Sequence, residues 1–212
     1  MLQYVTTNEG KVTEAREYLG TETVTQLDFD YDEIQAADLG PIAAQGARAA
    51  YRHADGPVLV DDAGLFLNGF DGFPGPYSSF VEDTLGVETV WRLADAELDD
   101  LRASFRCVLA YCDGEPFDAS PDPVDRDDRV VAAATGADRD DGEDDPLPVK
   151  LFTGVIRGKL VEPRGEGGFG YDPIFEYDGT TMAEMDATEK NAVSHRGRAL
   201  EKFAEWYPER TE

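Results

Sequence analysis

The sequence predicts an α/β fold, a sheet flanked by helices, and three observations carry that prediction. Strand-like and helix-like stretches alternate from the start: Leu2–Thr6 reads as a strand, Glu9–Leu19 as a helix and Thr23–Phe29 as a second strand. Small and apolar residues then recur at helical spacing from Leu39 to Tyr51. Pro57–Val60, finally, is an all-apolar run bounded by Gly56-Pro57 and Asp61-Asp62, the mark of a strand covered on both faces. At 212 residues and 41% hydrophobic, the chain can bury a core as one domain carrying an insertion.

Each element has its own local reason. Val12, Ala15, Arg16 and Leu19 fall on one side of the first helix. In the second, Leu39, Ile42, Ala43, Gly46, Ala47, Ala50 and Tyr51 follow the i, i+3, i+4, i+7 pattern, with Asp38 as N-cap and Pro41 tolerated in the first turn. Leu65–Phe70 follows as a separate apolar stretch, then a Gly/Pro loop over Asp71–Pro76 and helical patterns through Val87–Leu93. Ser104–Tyr111 alternates as a strand, and Leu151–Val161 is another, with a kink expected at Gly154 or Gly158. Asp186-Ala-Thr-Glu189 has the form of a capping box opening a last helix striped by Leu200, Phe203, Ala204 and Tyr207.

Asp113–Lys150 differs in composition. It holds 13 acidic and 4 basic residues, several prolines and few large apolar groups. Such a segment buries too little surface to offset its ordering entropy. It is expected to be a solvated, disordered insert joining two neighbouring strands of a single domain spanning 1–212.

Charge and composition exclude several function classes. With 19 basic and 45 acidic residues the net charge is −26, and the pI is near 4.2. Duplex nucleic acid needs a basic face, so no nucleic-acid partner is expected. No stretch approaches the ~20 apolar residues of a membrane span, and Met1 leads directly into the first strand without a signal peptide. Cys107 and Cys112 stand an odd number of residues apart on one strand, hence on opposite faces, which disfavours a disulfide. A reducing cytoplasm fits. The charge density itself points to a high-salt interior, where self-repulsion is screened, or to a cationic partner.

Four stretches carry chemistry. Thr6-Thr7-Asn8-Glu9-Gly10-Lys11 lies where a strand passes into a helix, and helix N–H groups with a lysine one turn in make a phosphate cradle; a plain N-cap at Thr7 or Asn8 is the alternative. Asp61-Asp62 stands at the expected C-terminal end of a buried strand, where ligands bind in α/β sheets, and Mg²⁺ relieves the repulsion of such a pair. Gly165–Pro173 sets Phe169 and Tyr171 among glycines, offering a stacking ring on an adaptable backbone. Glu189–Arg196 gathers Lys190, Ser194, His195 and Arg196, with Lys190 and Ser194 as i, i+4 neighbours.

Taken in order with Val58–Leu65, Gly72-Phe-Pro-Gly-Pro-Tyr77, Gly168–Pro173 and Met182–Arg196, these motifs resemble the inosine/xanthosine triphosphate pyrophosphatase family. The resemblance covers nearly the whole chain outside the acidic insert. It implies an elongated mixed β-sheet flanked by helices, with two lobes around a central nucleotide-binding groove, usually as a homodimer. It also implies Mg²⁺-dependent hydrolysis of ITP, dITP and XTP to the monophosphate and pyrophosphate, which clears deaminated purines from the nucleotide pool.

Residue by residue, the resemblance assigns Thr6, Thr7, Asn8 and Lys11 to the triphosphate. Asp62 is assigned as the catalytic, metal-associated carboxylate, Glu33 as the second metal ligand and Asp61 as an accessory one. Phe169, Gly170, Tyr171 and Asp172 match the base-binding loop, with Phe169 or Tyr171 stacking on the ring. Lys190, Ser194, His195 and Arg196 match base and phosphate contacts. Two positions depart from the family pattern: Ala63 replaces a usual Ser or Thr, and Arg48 stands where a phosphate-binding lysine is expected. A relative acting on modified pyrimidines or 7-methyl-GTP, and a nucleotide sensor without turnover, are the competing readings.

Overall fold

The computed structural model describes residues 1–20, 24–117 and 147–211. Its strands are β1 (Leu2–Val5), β2 (Val24–Leu27), β3 (Val58–Leu67), β4 (Pro74–Gly75), β5 (Arg102–Cys112), β6 (Lys150–Leu160), β7 (Phe175–Tyr177) and β8 (Thr180–Thr181). The helices are α1 (Glu9–Leu19), α2 (Leu39–His53), α3 (Ser78–Leu85), α4 (Val87–Glu97), α5 (Ala187–Val193) and α6 (His195–Thr211). The strands form one eight-stranded sheet in the order β2-β1-β3-β5-β6-β7-β8, with β4 paired to β3. The sheet is mixed: β1 runs parallel to β2 and β3, whereas β3–β4, β6–β7 and β7–β8 are antiparallel. This is the α/β architecture expected from the alternating pattern.

The chain divides into two compact units, the first made of Met1–Asp62, Val108–Thr153 and Arg198–Glu212, the second of Ala63–Cys107 and Gly154–Gly197. In the first, α2 buries Leu39, Ile42, Ala43, Gly46, Ala47 and Ala50, the stripe read from the sequence. Asp38 takes the N-cap backbone conformation but makes no side-chain cap bond. The C-terminal stripe is also confirmed: Leu200 and Phe203 are fully buried, and Phe203 packs against Tyr111, Phe152 and Tyr207. The core of the second unit gathers Leu65, Leu67, Phe105, Ile156, Ile174 and Phe175, among others.

Three boundaries differ from the sequence reading. Val58–Val60 and Leu65–Leu67 belong to one strand, β3, which ends in a 3-10 turn at Asn68–Phe70, so Asp61 and Asp62 lie in its middle and not at its C-terminal end. Its burial explains the misreading: buried residues at both ends flank a half-buried Asp61-Asp62-Ala63, which reads as a break in an apolar run. β6 continues unbroken through Gly154 and Gly158; a Cβ at Gly158 would run into the Glu176 carbonyl oxygen of β7, so close strand approach explains this glycine. The last helix is two helices. α5 opens with the expected Asp186–Glu189 capping box, and the chain leaves helical geometry at Ser194 (ψ 149°).

The acidic insert largely falls at 118–146, outside the described residues. Its roots are described. β5 and β6 are neighbours, as expected of strands joined by an insertion. Arg210 on α6 grips the first root, donating to Asp113 Oδ2 and Oδ1 at 2.7 and 2.9 Å and to the carbonyls of Glu115 and Pro116. Its guanidinium lies 4.6 Å from the Phe117 ring centre. Cys107 and Cys112 are both buried and not joined in a disulfide.

Candidate active site

In the first unit the phosphate-type motif forms where β1 passes into α1. Asn8 caps the helix, its Oδ1 accepting the Gly10 N–H at 2.8 Å, and Thr6 Oγ1 accepts the Asn8 N–H at 3.1 Å. Thr7 is exposed beside them. The helix N-terminus leaves partial positive charge at this turn. One turn in, Lys11 Nζ stands 3.0 Å from both carboxylate oxygens of Asp61.

Adjacent strand residues face opposite sides of a sheet. The strand order β2-β1-β3 makes the β1–β2 and β2–β3 crossovers step in opposite directions, so right-handed connections set α1 and α2 on opposite faces. Asp61 therefore meets Lys11 of α1, and Asp62 turns to the side of α2. There Tyr31 packs on Gly46 of α2. Burial first, then the negative charges of Glu33, Asp62 and Asp61, push the Tyr31 phenol well above its usual range. The phenol thus holds its proton in the field of three carboxylates. Glu33 itself is exposed.

Asp61 is the counter-ion of Lys11. Arg48 directs its Nε to the Leu147 carbonyl oxygen at 3.0 Å, holding the second root of the insert.

In the second unit, the glycine loop and α5 form a cluster. Asp172, 5% exposed, accepts the Phe169 N–H at 2.7 Å and pairs with Lys190 through the same oxygen. The Lys190 ammonium lies 4.0 Å from the centre of the Phe169 ring. Gly168 has φ +75°, and a Cβ there would run into the Asp172 carboxylate, so this turn needs glycine. Glu82 lies against Gly170, and its carboxyl is raised by burial and then by Asp83 and Asp172.

The two aromatic residues of this loop part company. Phe169 is 68% exposed, whereas Tyr171 is 4% exposed and donates its hydroxyl to the Ser78 carbonyl oxygen at 2.8 Å. Phe169 is thus the ring of this loop open to solvent, and Tyr171 is an anchor. Ser194 is also reassigned. Buried, it accepts the Gly197 N–H at 2.8 Å through Oγ and so caps α6 instead of sharing a helix face with Lys190. The next residue, His195, stacks on Phe105 at 5.2 Å and 16°. Arg196 is half-buried beside it.

Sequence reasoning missed Tyr31, Gly46, Glu82 and Phe105. Each acts through a neighbour distant in the chain, and only the i+2 spacing of Tyr31 and Glu33 was visible as a signal.

The profile of the Ham1 family matches residues 2–124 and 118–206. The chain is 44% identical to the dITP/XTP pyrophosphatase of Methanosarcina acetivorans, over 96% of this chain and 95% of that protein. It is 42% identical to the dITP/XTP pyrophosphatase of Thermococcus kodakarensis, over 98% and 97%. It is 35% identical to an inosine triphosphate pyrophosphatase of Phaeosphaeria nodorum, over 100% and 96%. The structure of a HAM1 protein from Coxiella burnetii superposes with a TM-score of 0.76 at 29% identity, covering 99% of this chain and all of that one. Spanning nearly its whole length with these matches, the chain belongs to the Ham1 family.

Proposed function

We propose that this protein is a nucleoside-triphosphate pyrophosphatase that hydrolyses ITP, dITP and XTP to the monophosphate and pyrophosphate, clearing deaminated purines from the nucleotide pool. The observation that supports it best is the pair of clusters: Asn8, Lys11 and Asp62 for the triphosphate in one unit, Phe169 and Lys190 for the base in the other.

Mg²⁺ fits the donors in the first unit. Glu33 and Asp62 offer hard carboxylate oxygens, and the described residues hold no group of three or more His, Cys, Asp or Glu that would make a complete protein cage. Mg²⁺ is commonly bound by one or two carboxylates, with phosphate oxygens and water completing its shell. When bound it supplies positive charge to the phosphate oxygens.

The protein's own residues do the rest. The N-terminal turn of α1, with Thr6, Thr7 and Asn8, cradles the phosphates, and Lys11 turns from Asp61 to neutralise charge on the departing pyrophosphate. Asp62 orients the water that attacks the α-phosphorus in line and takes its proton on a carboxylate oxygen. Phe169 stacks on the purine, with Lys190 against its ring. His195 and Arg196 donate to the 6-oxo group; adenine's amino group leaves such donors unmet, at ~1–3 kcal/mol each.

The active form is a homodimer in this proposal. Phe80 (69% exposed), Phe73 (46%), Leu85 (45%) and Tyr77 (39%) lie on or just before α3 and give a second copy an apolar surface. No described helix is long and apolar enough to cross a membrane. We place the enzyme in a cytoplasm rich in salt.

The test is pyrophosphate release from ITP, dITP, XTP, ATP, GTP and dTTP with Mg²⁺ in molar KCl, for wild type and Asp62→Asn. Fast turnover of the first three only, lost in the variant, is expected. Equal rates on dTTP or ATP would reject the purine-editing reading, and near-wild-type turnover by Asp62→Asn would reject the site.

A further inference from the structure

We propose that Tyr31, seated on Gly46, is the positioning residue that fixes Glu33 opposite Asp62. This rests on the reading of Glu33 and Asp62 as the metal-binding carboxylates.

The physical problem is that Glu33 is exposed and lies on a connection without helix or strand, residues 28–38 between β2 and α2. A carboxylate on such a segment would wander unless the chain beside it were held. The hold comes from residues two and four positions earlier. Phe29 stacks on His53 at 4.3 Å and 18°, and on Tyr31 at 6.1 Å and 27°. Tyr31 in turn presses its ring edge and hydroxyl onto the α2 backbone. A Cβ built at Gly46 would meet Tyr31 Oη at 2.5 Å, Cζ at 2.6 Å and Cε2 at 2.7 Å.

Gly46 and His53 are seven residues apart on one helix, two turns and about 10.5 Å along its axis. The connection is thus pinned to α2 at two points just before Glu33. Gly46 has helical neighbours on both sides, and alanine would ordinarily strengthen such a helix. Here the missing Cβ is the seat for Tyr31.

The test uses Mn²⁺ as probe, with α,β-methylene-ITP as the non-hydrolysable nucleotide, and reads bound metal from the loss of the free-Mn²⁺ EPR signal. Gly46→Ala is expected to weaken Mn²⁺ binding tenfold or more while leaving a cooperative thermal transition. Tyr31→Phe, which keeps the ring, should stay within threefold of wild type. In the Glu33→Gln background, Gly46→Ala should cost less than twofold further, because its effect passes through Glu33. A merely structural glycine would give additive losses. Additivity, a folded Gly46→Ala with wild-type Mn²⁺ affinity, or Tyr31→Phe as damaged as Gly46→Ala would each overturn the proposal. Wild type that binds Mn²⁺ and nucleotide but releases no pyrophosphate would instead reject the hydrolase reading.

Discussion

Lys11 and Asp61 form a two-pronged ion pair between α1 and β3: Nζ lies 3.0 Å from both carboxylate oxygens, with the Asp61 side chain 1% exposed and the Lys11 side chain 25% exposed. The lysine is thereby aimed and still partly open to solvent. Its carboxylate partner is buried beneath it. The pair preorganises a cation where the helix N-terminus also favours an anion.

Lys11→Met should therefore damage both stability and binding. Removing the cation above a buried carboxylate is expected to cost about 2 kcal/mol, a fall in Tm of about 4–8 °C for a chain this long. KM for ITP should rise more than tenfold. Calorimetry and steady-state kinetics check the two halves separately; a normal Tm with raised KM would show that Asp61 does not depend on Lys11.

Phe169 and Tyr171 should separate binding from folding. Phe169→Ala removes an exposed ring, so Tm should hold while KM for ITP rises roughly 10–100-fold, the ~1–3 kcal/mol of a base–aromatic stack. Tyr171→Phe loses the hydroxyl bond to the Ser78 carbonyl, a stability cost of about 1 kcal/mol with little change in KM. The reverse pattern would return Tyr171 to the base.

Most of the fold was legible because it is written in local periodicity. The α2 stripe needs only 3.6-residue spacing, and the Asp186–Glu189 box only two side chains in reach of one helix end. The misreadings share a different cause. Asp61-Asp62-Ala63 interrupts an apolar run, and sequence alone cannot tell a half-buried stretch of strand from a loop. Ser194 lies among helix-compatible residues, so nothing local announces that its hydroxyl caps a new helix. Tyr31 and Gly46 are intelligible only as a pair. The candidate site residues rest on the order of several motifs, and their partners in the fold come only with tertiary structure.

Ser194 offers a sharp check on that reassignment. Ser194→Ala should remove the α6 cap at about 1 kcal/mol, lowering Tm by about 2–4 °C, and Ser194→Thr should retain most of it. Loss of the cap also loosens His195 and Arg196, so KM should rise in step with the Tm change. A raised KM at unchanged Tm would mean that the hydroxyl touches nucleotide directly.

Salt should act in the direction opposite to that for ordinary exposed ion pairs. At −26 the folded chain repels itself and its triphosphate substrate, and KCl screens both. Raising KCl from 0.1 to 2 M is expected to increase Tm and lower KM for ITP. Scanning calorimetry with parallel kinetics would decide it, and a steady fall in both stability and activity would refute the high-salt reading.

Arg210 and Asp113 should give stability a dependence on acid pH. Burial alone would raise the Asp113 carboxyl, but hydrogen bonds from Arg210, the Glu115 N–H and Tyr111 outweigh it and hold the group below its ordinary value. The folded state thus binds that proton less readily than the unfolded chain. The resulting stabilisation is complete above the unfolded carboxyl's pKa, about 3.9, and is lost as pH falls through the lower folded value. Arg210→Gln removes the guanidinium contacts to Asp113 and to the Glu115 and Pro116 carbonyls, loosening the first root of the insert. Its Tm deficit against wild type should be constant from pH 7 to 5 and shrink below pH 4. Turnover of ITP should be unaffected, because Arg210 lies outside the proposed catalytic cluster. Thermal denaturation of both proteins from pH 7 to 3, at fixed high salt, measures the difference directly. A deficit independent of pH would assign the pairing energy to the carbonyl contacts and the Phe117 ring, not to the Asp113 carboxylate.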